Sequence, residues 1–149
     1  MKILITNDDG IEAKGLDAME EIALSLSNSK DSVIVVAPQE NQSAKSNSIT
    51  YNKPFKIRRI NDLRYAVEGT PTDCVIFAMD YLMTERKPDL ILSGINSGFN
   101  LSEDVFYSGT VGAAIEGSFR GVLSIAISQC YNSMTMGKKH IYDFARKHA

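Results

Sequence analysis

The sequence predicts an α/β fold, a doubly wound and mostly parallel sheet with helices on both faces and an inserted β-hairpin. Three observations carry this. Four short apolar runs are continuous rather than alternating, as strands covered on both faces are. Helical patterns separate them, and strands alternating with helices give a parallel, doubly wound sheet. One further segment alternates polar and apolar residues.

The four runs are Ile3-Leu4-Ile5, Val33-Ile34-Val35-Val36, Leu90-Ile91-Leu92 and Ile125-Ala126-Ile127. The first helix is expected to bury a face of Leu16, Met19, Ala23 and Leu26. The second buries Val75, Ile76, Met79, Leu82 and Met83, with Pro71 and Asp73 suited to its first turn. The third buries Val111, Ala114, Ile115 and Phe119. The alternating segment, residues 51–68, reads as a hairpin near a sheet edge. Its Lys53, Lys56, Arg58 and Arg59 could attract an anionic substrate, but such a run is more often the solvated strand face that blunts an edge.

A chain of 149 residues fits one domain, taken as residues 1–149. Lysine and arginine number 16 against 18 acidic residues, a balance that gives no argument for a nucleic-acid polymer or an acidic membrane. No segment is long enough to span a bilayer, and the first residues lack the pattern of a secretory signal. Cys74 and Cys130 are too few and too far apart for a disulfide framework or a thiolate metal site, so reduced thiols in a cytoplasmic protein are expected.

In open α/β sheets ligands bind beyond the carboxyl ends of the strands, so the segments after each strand are read together. After the first comes Asn7-Asp8-Asp9-Gly10, and after the second Ala37-Pro38-Gln39-Glu40-Asn41-Gln42-Ser43. The Leu90–Leu92 run leads into Ser93-Gly94-Ile95-Asn96-Ser97-Gly98-Phe99-Asn100. Tyr107-Ser108-Gly109-Thr110 stands before the third helix. At ~4 Å, adjacent carboxylates repel by roughly 1 kcal/mol in water and roughly 4 where partly shielded. A cation offsets that cost, or solvent absorbs it. The loops offer carboxylates, amides and hydroxyls but no histidine or cysteine, which fits a hard divalent cation rather than zinc or copper. Asp-Asp-Gly alone is equally a turn with a helix cap. The Ser-Gly-Thr entry offers free N–H groups to a phosphate, although Ser108 or Thr110 would also serve as an ordinary cap.

Taken together, "TNDDG", "VVAP" with Ser43 five residues after its proline, "GTPTDCV", "SGINSGFN" and "YSGTVGAAIEG" resemble the SurE family of survival-protein nucleotidases, from residue 1 to about residue 130. The resemblance implies a Rossmann-like α/β sheet and a metal-dependent phosphomonoesterase acting on nucleoside 5'- and 3'-monophosphates. It implies one divalent ion per subunit, Mg²⁺ or Mn²⁺, held by Asp8, Asp9, Ser43 and Asn96, with Asp9 and Asp8 catalytic. Ser108, Gly109 and Thr110 match the family's phosphate-holding loop, with Asn96 and Asn100 beside it. A homodimer or higher homo-oligomer is expected from the family. Gln42 and Asn47 stand where family members often carry arginine and histidine.

Family members usually continue for about another hundred residues. Residues 131–149 here read as a divergent or truncated tail with one closing helix that buries Ile141 and Phe144, and His140 and His148 on its surface. The alternative function is therefore a truncated, poorly active metal- and nucleotide-binding module. Three other classes fit less well. A haloacid-dehalogenase-like phosphatase needs D-x-D, but Asn7 stands two before Asp9. A response-regulator receiver needs a lysine ending its last strand, where Ser128-Gln129-Cys130 stands. A dinucleotide-binding domain needs G-x-G-x-x-G after its first strand.

Overall fold

The computed structural model describes residues 1–131 and 141–149. Six strands form one sheet: β1 (Ile3–Thr6), β2 (Val33–Pro38), β3 (Ile57–Asn61), β4 (Arg64–Val67), β5 (Leu90–Ser97) and β6 (Leu123–Gln129). Their order across the sheet is β3-β4-β2-β1-β5-β6. All neighbours run parallel except β3 and β4, which form the antiparallel hairpin at one edge. The hairpin lies within the segment that alternation marked. All five residues of β3 are exposed, and Lys53, Lys56, Arg58 and Arg59 face solvent.

Helices cover both faces. The apolar side chains of α1 (Lys14–Leu26) and α5 (Asp143–His148) pack with Ile3, Ile5, Val33, Val35 and Leu92. On the opposite face α2 (Pro71–Phe77) and α4 (Gly109–Phe119) pack with Leu4, Val36 and Ile91. Adjacent strand residues point to opposite faces, so Ile3 and Ile5 serve one core and Leu4 the other. This is why three of the four continuous runs are buried along their whole length. Every residue of β1 and β2 is buried, as are the first six of β5.

The fourth run differs. In β6, Leu123 is 68% and Ile125 43% exposed. β6 is the other edge strand, and α1 and α5 on that face leave an apolar trough of about 360 Å³ lined by Ile22, Leu92, Ile125, Ile127 and Phe144.

The expected helix faces also need correction. Leu16, Met19 and Ala23 are buried, but Leu26, at the end of α1, is exposed. Along α2 and the wider turn after it, Val75, Met79 and Met83 are buried while Ile76 and Leu82 are half-buried. The α4 expectation fails most. Of the four residues only Ala114 is buried; Val111 is half-buried, Ile115 and Phe119 are exposed, and the helix buries Gly112, Ala113 and Gly117 beside Ala114. The helix lies too close to the sheet for large side chains: a Cβ on Gly117 would stand 2.6 Å from Ile91 Cδ1. At the carboxyl terminus Tyr142 and Ala145 are buried, Ile141 is half-buried, and Phe144 is exposed with its ring 4.4 Å from that of His148. His148 is on the surface; His140 lies outside the described residues.

Candidate active site

Strand order reverses beside β1, which has β2 on one side and β5 on the other. A crevice opens at such a switch point, beyond the carboxyl ends of the strands. Asp8 and Asp9 follow β1 directly, and Asn7 shapes the turn that presents them. Its amide donates to the Gly10 carbonyl (2.9 Å) and accepts the Gly10 N–H (3.2 Å). Gly10 has φ +106°, a conformation glycine adopts without strain. Asp8 is 3% exposed, and Asp9 is half-buried.

Three other segments reach this pair. The Gln42 N–H donates to the Asp8 carbonyl (2.7 Å), which sets the Ser43 loop against it. Asn41 Nδ2 approaches Asp9 Oδ1 (3.4 Å) while Asn41 Oδ1 accepts the Ser43 N–H (2.9 Å). From the end of β5, the Ser97 N–H donates to Asp9 Oδ2 (3.0 Å). From α4, the Thr110 hydroxyl donates to Asp8 Oδ1 (2.6 Å) in a buried bond. Gly109 lies so close that a Cβ there would stand 2.9 Å from Asp8 Cβ and 3.2 Å from Oδ2.

The β5 end is irregular. Its register with β6 shifts between Gly94 and Asn96, and the Gly94–Ile95 peptide is cis. A register shift of this kind re-aims the side chains that follow. Asn96, half-buried, donates through Nδ2 to the Gly98 carbonyl (3.3 Å), so Oδ1 is its ligand-type atom.

The Ser43 loop is anchored away from the carboxylates too. Ser46 donates its N–H to the Tyr107 carbonyl (2.9 Å) and its hydroxyl to that of Phe106 (2.7 Å). Thr72 Oγ1 donates to Asn47 Oδ1 (2.9 Å), so Asn47 ties the loop to α2. Asp73 accepts both Thr50 N–H (2.9 Å) and Thr50 Oγ1 (2.6 Å), and closes a capping box with Thr70.

Asp8 ionises less readily than an ordinary aspartate. Burial is the main cause, the Thr110 hydrogen bond opposes it, and the Asp9 charge adds to it. A cation beside the pair would favour the ionised form. Among the described residues, no three His, Cys, Asp or Glu side chains gather as a metal cluster. A cation here would therefore take two carboxylates, neutral oxygens and water, the set a hard divalent ion accepts. The donor chemistry fits.

The sequence-derived residues fall into two groups. Asp8, Asp9, Gly109 and Thr110 are in direct contact or adjacent, while Ser43 and Asn96 each follow or precede a backbone N–H bonded to the pair. The other group is engaged elsewhere. Ser108 caps α4 by accepting the Val111 N–H (3.2 Å), and Asn100 Nδ2 donates to Ser128 Oγ (2.8 Å). Sequence reasoning did not find Asn41 and Ser97 as braces of Asp9. Their only signal was a place beside Ser43 and Asn96.

Fold and crevice together define a doubly wound α/β protein with an oxygen-lined acidic site at its switch point. The family model described as Survival protein SurE matches residues 3–149. The chain belongs to that family. It is 53% identical to the 5'-nucleotidase SurE of Beijerinckia indica over 150 aligned residues, covering 100% of this chain and 56% of the relative. The 5'-nucleotidase SurE of Methylocella silvestris is 50% identical over 149 residues, with 100% of this chain and 58% of that protein covered. The chain thus spans just over half the length of these relatives. The crystal structure of the SurE protein from Aquifex aeolicus superposes with a TM-score of 0.84 at 41% identity, covering 99% of this chain and 59% of that one.

Proposed function

We propose that the chain is a metal-dependent phosphomonoesterase that hydrolyses nucleoside 5'-monophosphates, and 3'-monophosphates with them, to nucleoside and phosphate. The supporting observation is the gathering of three segments, through Gln42, Ser97 and Thr110, on the Asp8–Asp9 pair. Relatives named 5'-nucleotidase supply the substrate class. Asp8, Asp9, Ser43 and Asn96 would hold one Mg²⁺ or Mn²⁺. When bound, such an ion neutralises phosphoryl charge and lowers the pKa of water. Asp9 orients the attacking water or takes its proton. Water attacks phosphorus in line with the ester oxygen, a P–O bond forms as the P–O bond to the nucleoside breaks, and the departing oxygen takes a proton from solvent. The N–H groups near Gly109 and Thr110 stabilise the phosphoryl oxygens. Asn96 and Asn100 border the substrate on the β5 side.

A cytoplasmic setting is part of the proposal, supported by two unpaired thiols, one buried (Cys74) and one exposed (Cys130). Among the described residues no helix is long and apolar enough to cross a membrane. Homo-oligomerisation, the family expectation, is read by sedimentation.

Phosphate release from AMP tests the reaction, measured with Mg²⁺ or Mn²⁺ and then with chelator. Release should require the metal, and Asp9→Asn should retain the fold while losing nearly all of it. Turnover that survives chelator or Asp9→Asn removes the metal role. Metal-dependent thermal stabilisation without phosphate release would instead identify a binding module.

A further inference from the structure

We propose that Thr110 is a positioning residue for Asp8 and that its hydroxyl makes no contact with phosphate. The inference rests on the metal-site reading above and deepens it. Thr110 is 0% exposed, and its Oγ1 lies 2.6 Å from Asp8 Oδ1. A hydroxyl has a single proton to donate. Here a carboxylate oxygen takes it, in a short charge-assisted bond, so no donor remains for a phosphoryl oxygen.

The arrangement also fixes how Asp8 faces the crevice. The terminal torsion of aspartate is broad, so nothing intrinsic chooses the plane of its carboxylate. The Thr110 hydroxyl holds Oδ1. Gly109, one residue earlier, leaves room beside Oδ2, where a Cβ would stand 3.2 Å away. The first turn of α4 therefore grips one oxygen and clears space around the other. It does so across 102 positions of sequence, so the orientation of Asp8 depends on the docking of α4 against the sheet. The bond would hold Asp8 ready for the cation before any ion arrives. A partner of this kind around a ligand typically changes metal affinity by about 10–100-fold.

The test uses Thr110→Val, which keeps the side-chain shape and removes the hydroxyl, and Thr110→Ser, which restores it. Mn²⁺ is titrated calorimetrically into the full chain without nucleotide, and AMP kinetics are then measured at saturating Mn²⁺. Thr110→Val should weaken Mn²⁺ binding by about 10–100-fold. At saturating Mn²⁺ its KM for AMP should match the parent's, and Thr110→Ser should return Mn²⁺ affinity to within a few-fold of the parent. Should the valine protein fail to fold, Thr110→Ala removes the same hydroxyl without branching at Cβ. Parental Mn²⁺ affinity in the variant lacking the hydroxyl overturns the proposal, and a raised KM with it assigns the hydroxyl to phosphate. Asp8→Asn separates the two ideas. If the parent binds Mn²⁺ and Asp8→Asn does not, an unchanged Thr110→Val sinks the positioning role alone; a parent that binds no Mn²⁺ sinks the metal site as well.

Discussion

Asp8 owes its geometry to atoms that the local sequence does not contain. Its neighbour Gly109 is a helical position where alanine would ordinarily stabilise by about 0.5–1 kcal/mol. Here the added Cβ would stand 2.9 Å from Asp8 Cβ and 3.2 Å from Pro71 Cγ. The sign should reverse. Gly109→Ala is expected to lose about 1–3 kcal/mol of stability, the usual penalty of overpacking, read from urea denaturation. At this scale the place of the acid pair was legible, because an apolar run that ends in two carboxylates puts them at the carboxyl end of a strand, among oxygen-bearing loops. The Thr110 bond was not. A Ser-Gly-Thr helix entry looks the same whether its hydroxyls cap, meet phosphate or hold a carboxylate, and only tertiary docking chooses. Ser108 caps and Thr110 holds Asp8.

Among the elements, α2 illustrates local rules that agree with the fold. Thr70, Pro71 and Asp73 make the start of a helix readable from four consecutive residues, and the structure forms the full capping box there. Asp73 also holds Thr50, at the far end of the loop that carries Ser43. Asp73→Ala keeps the Thr70 cap, which uses the Asp73 N–H, but takes the acceptor from the Thr70 and Thr50 donors. It should cost about 1–3 kcal/mol, and proteolysis near residues 43–50 should quicken because the loop loses an anchor. Protection equal to the parent's would show that Ser46 and Asn47 suffice. α4 is the contrary case. Its large apolar residues suggested the buried face, yet the helix buries glycine and alanine. Periodicity reports where apolar side chains lie, not how near the helix sits to the sheet. The near approach brings Thr110 to Asp8 and the backbone of Ser46 to Gly112, where a Cβ would stand 2.3 Å from the Ser46 carbonyl oxygen.

Over the whole molecule, the parallel sheet and its edge hairpin were readable because continuous and alternating apolar runs bury different faces. The place of each strand in the order was not, since no local signal separates a central strand from an edge one. β5 and β6 carry similar apolar runs, but Ile91 is fully buried while Ile125 is 43% exposed. Ile91→Ala should therefore cost about 2–5 kcal/mol. Ile125→Ala should cost much less, and equal losses in thermal denaturation would contradict the edge placement. The sheet order also makes the site, because the reversal beside β1 brings the ends of β1, β2 and β5 to one crevice with the start of α4. The most direct measurement of that convergence is anomalous scattering from crystals of the chain soaked in Mn²⁺. One peak should lie within coordination distance of oxygens from Asp8 and Asp9, with Ser43 and Asn96 beside it. Strong Mn²⁺ peaks elsewhere, with none at the aspartate pair, would contradict the account.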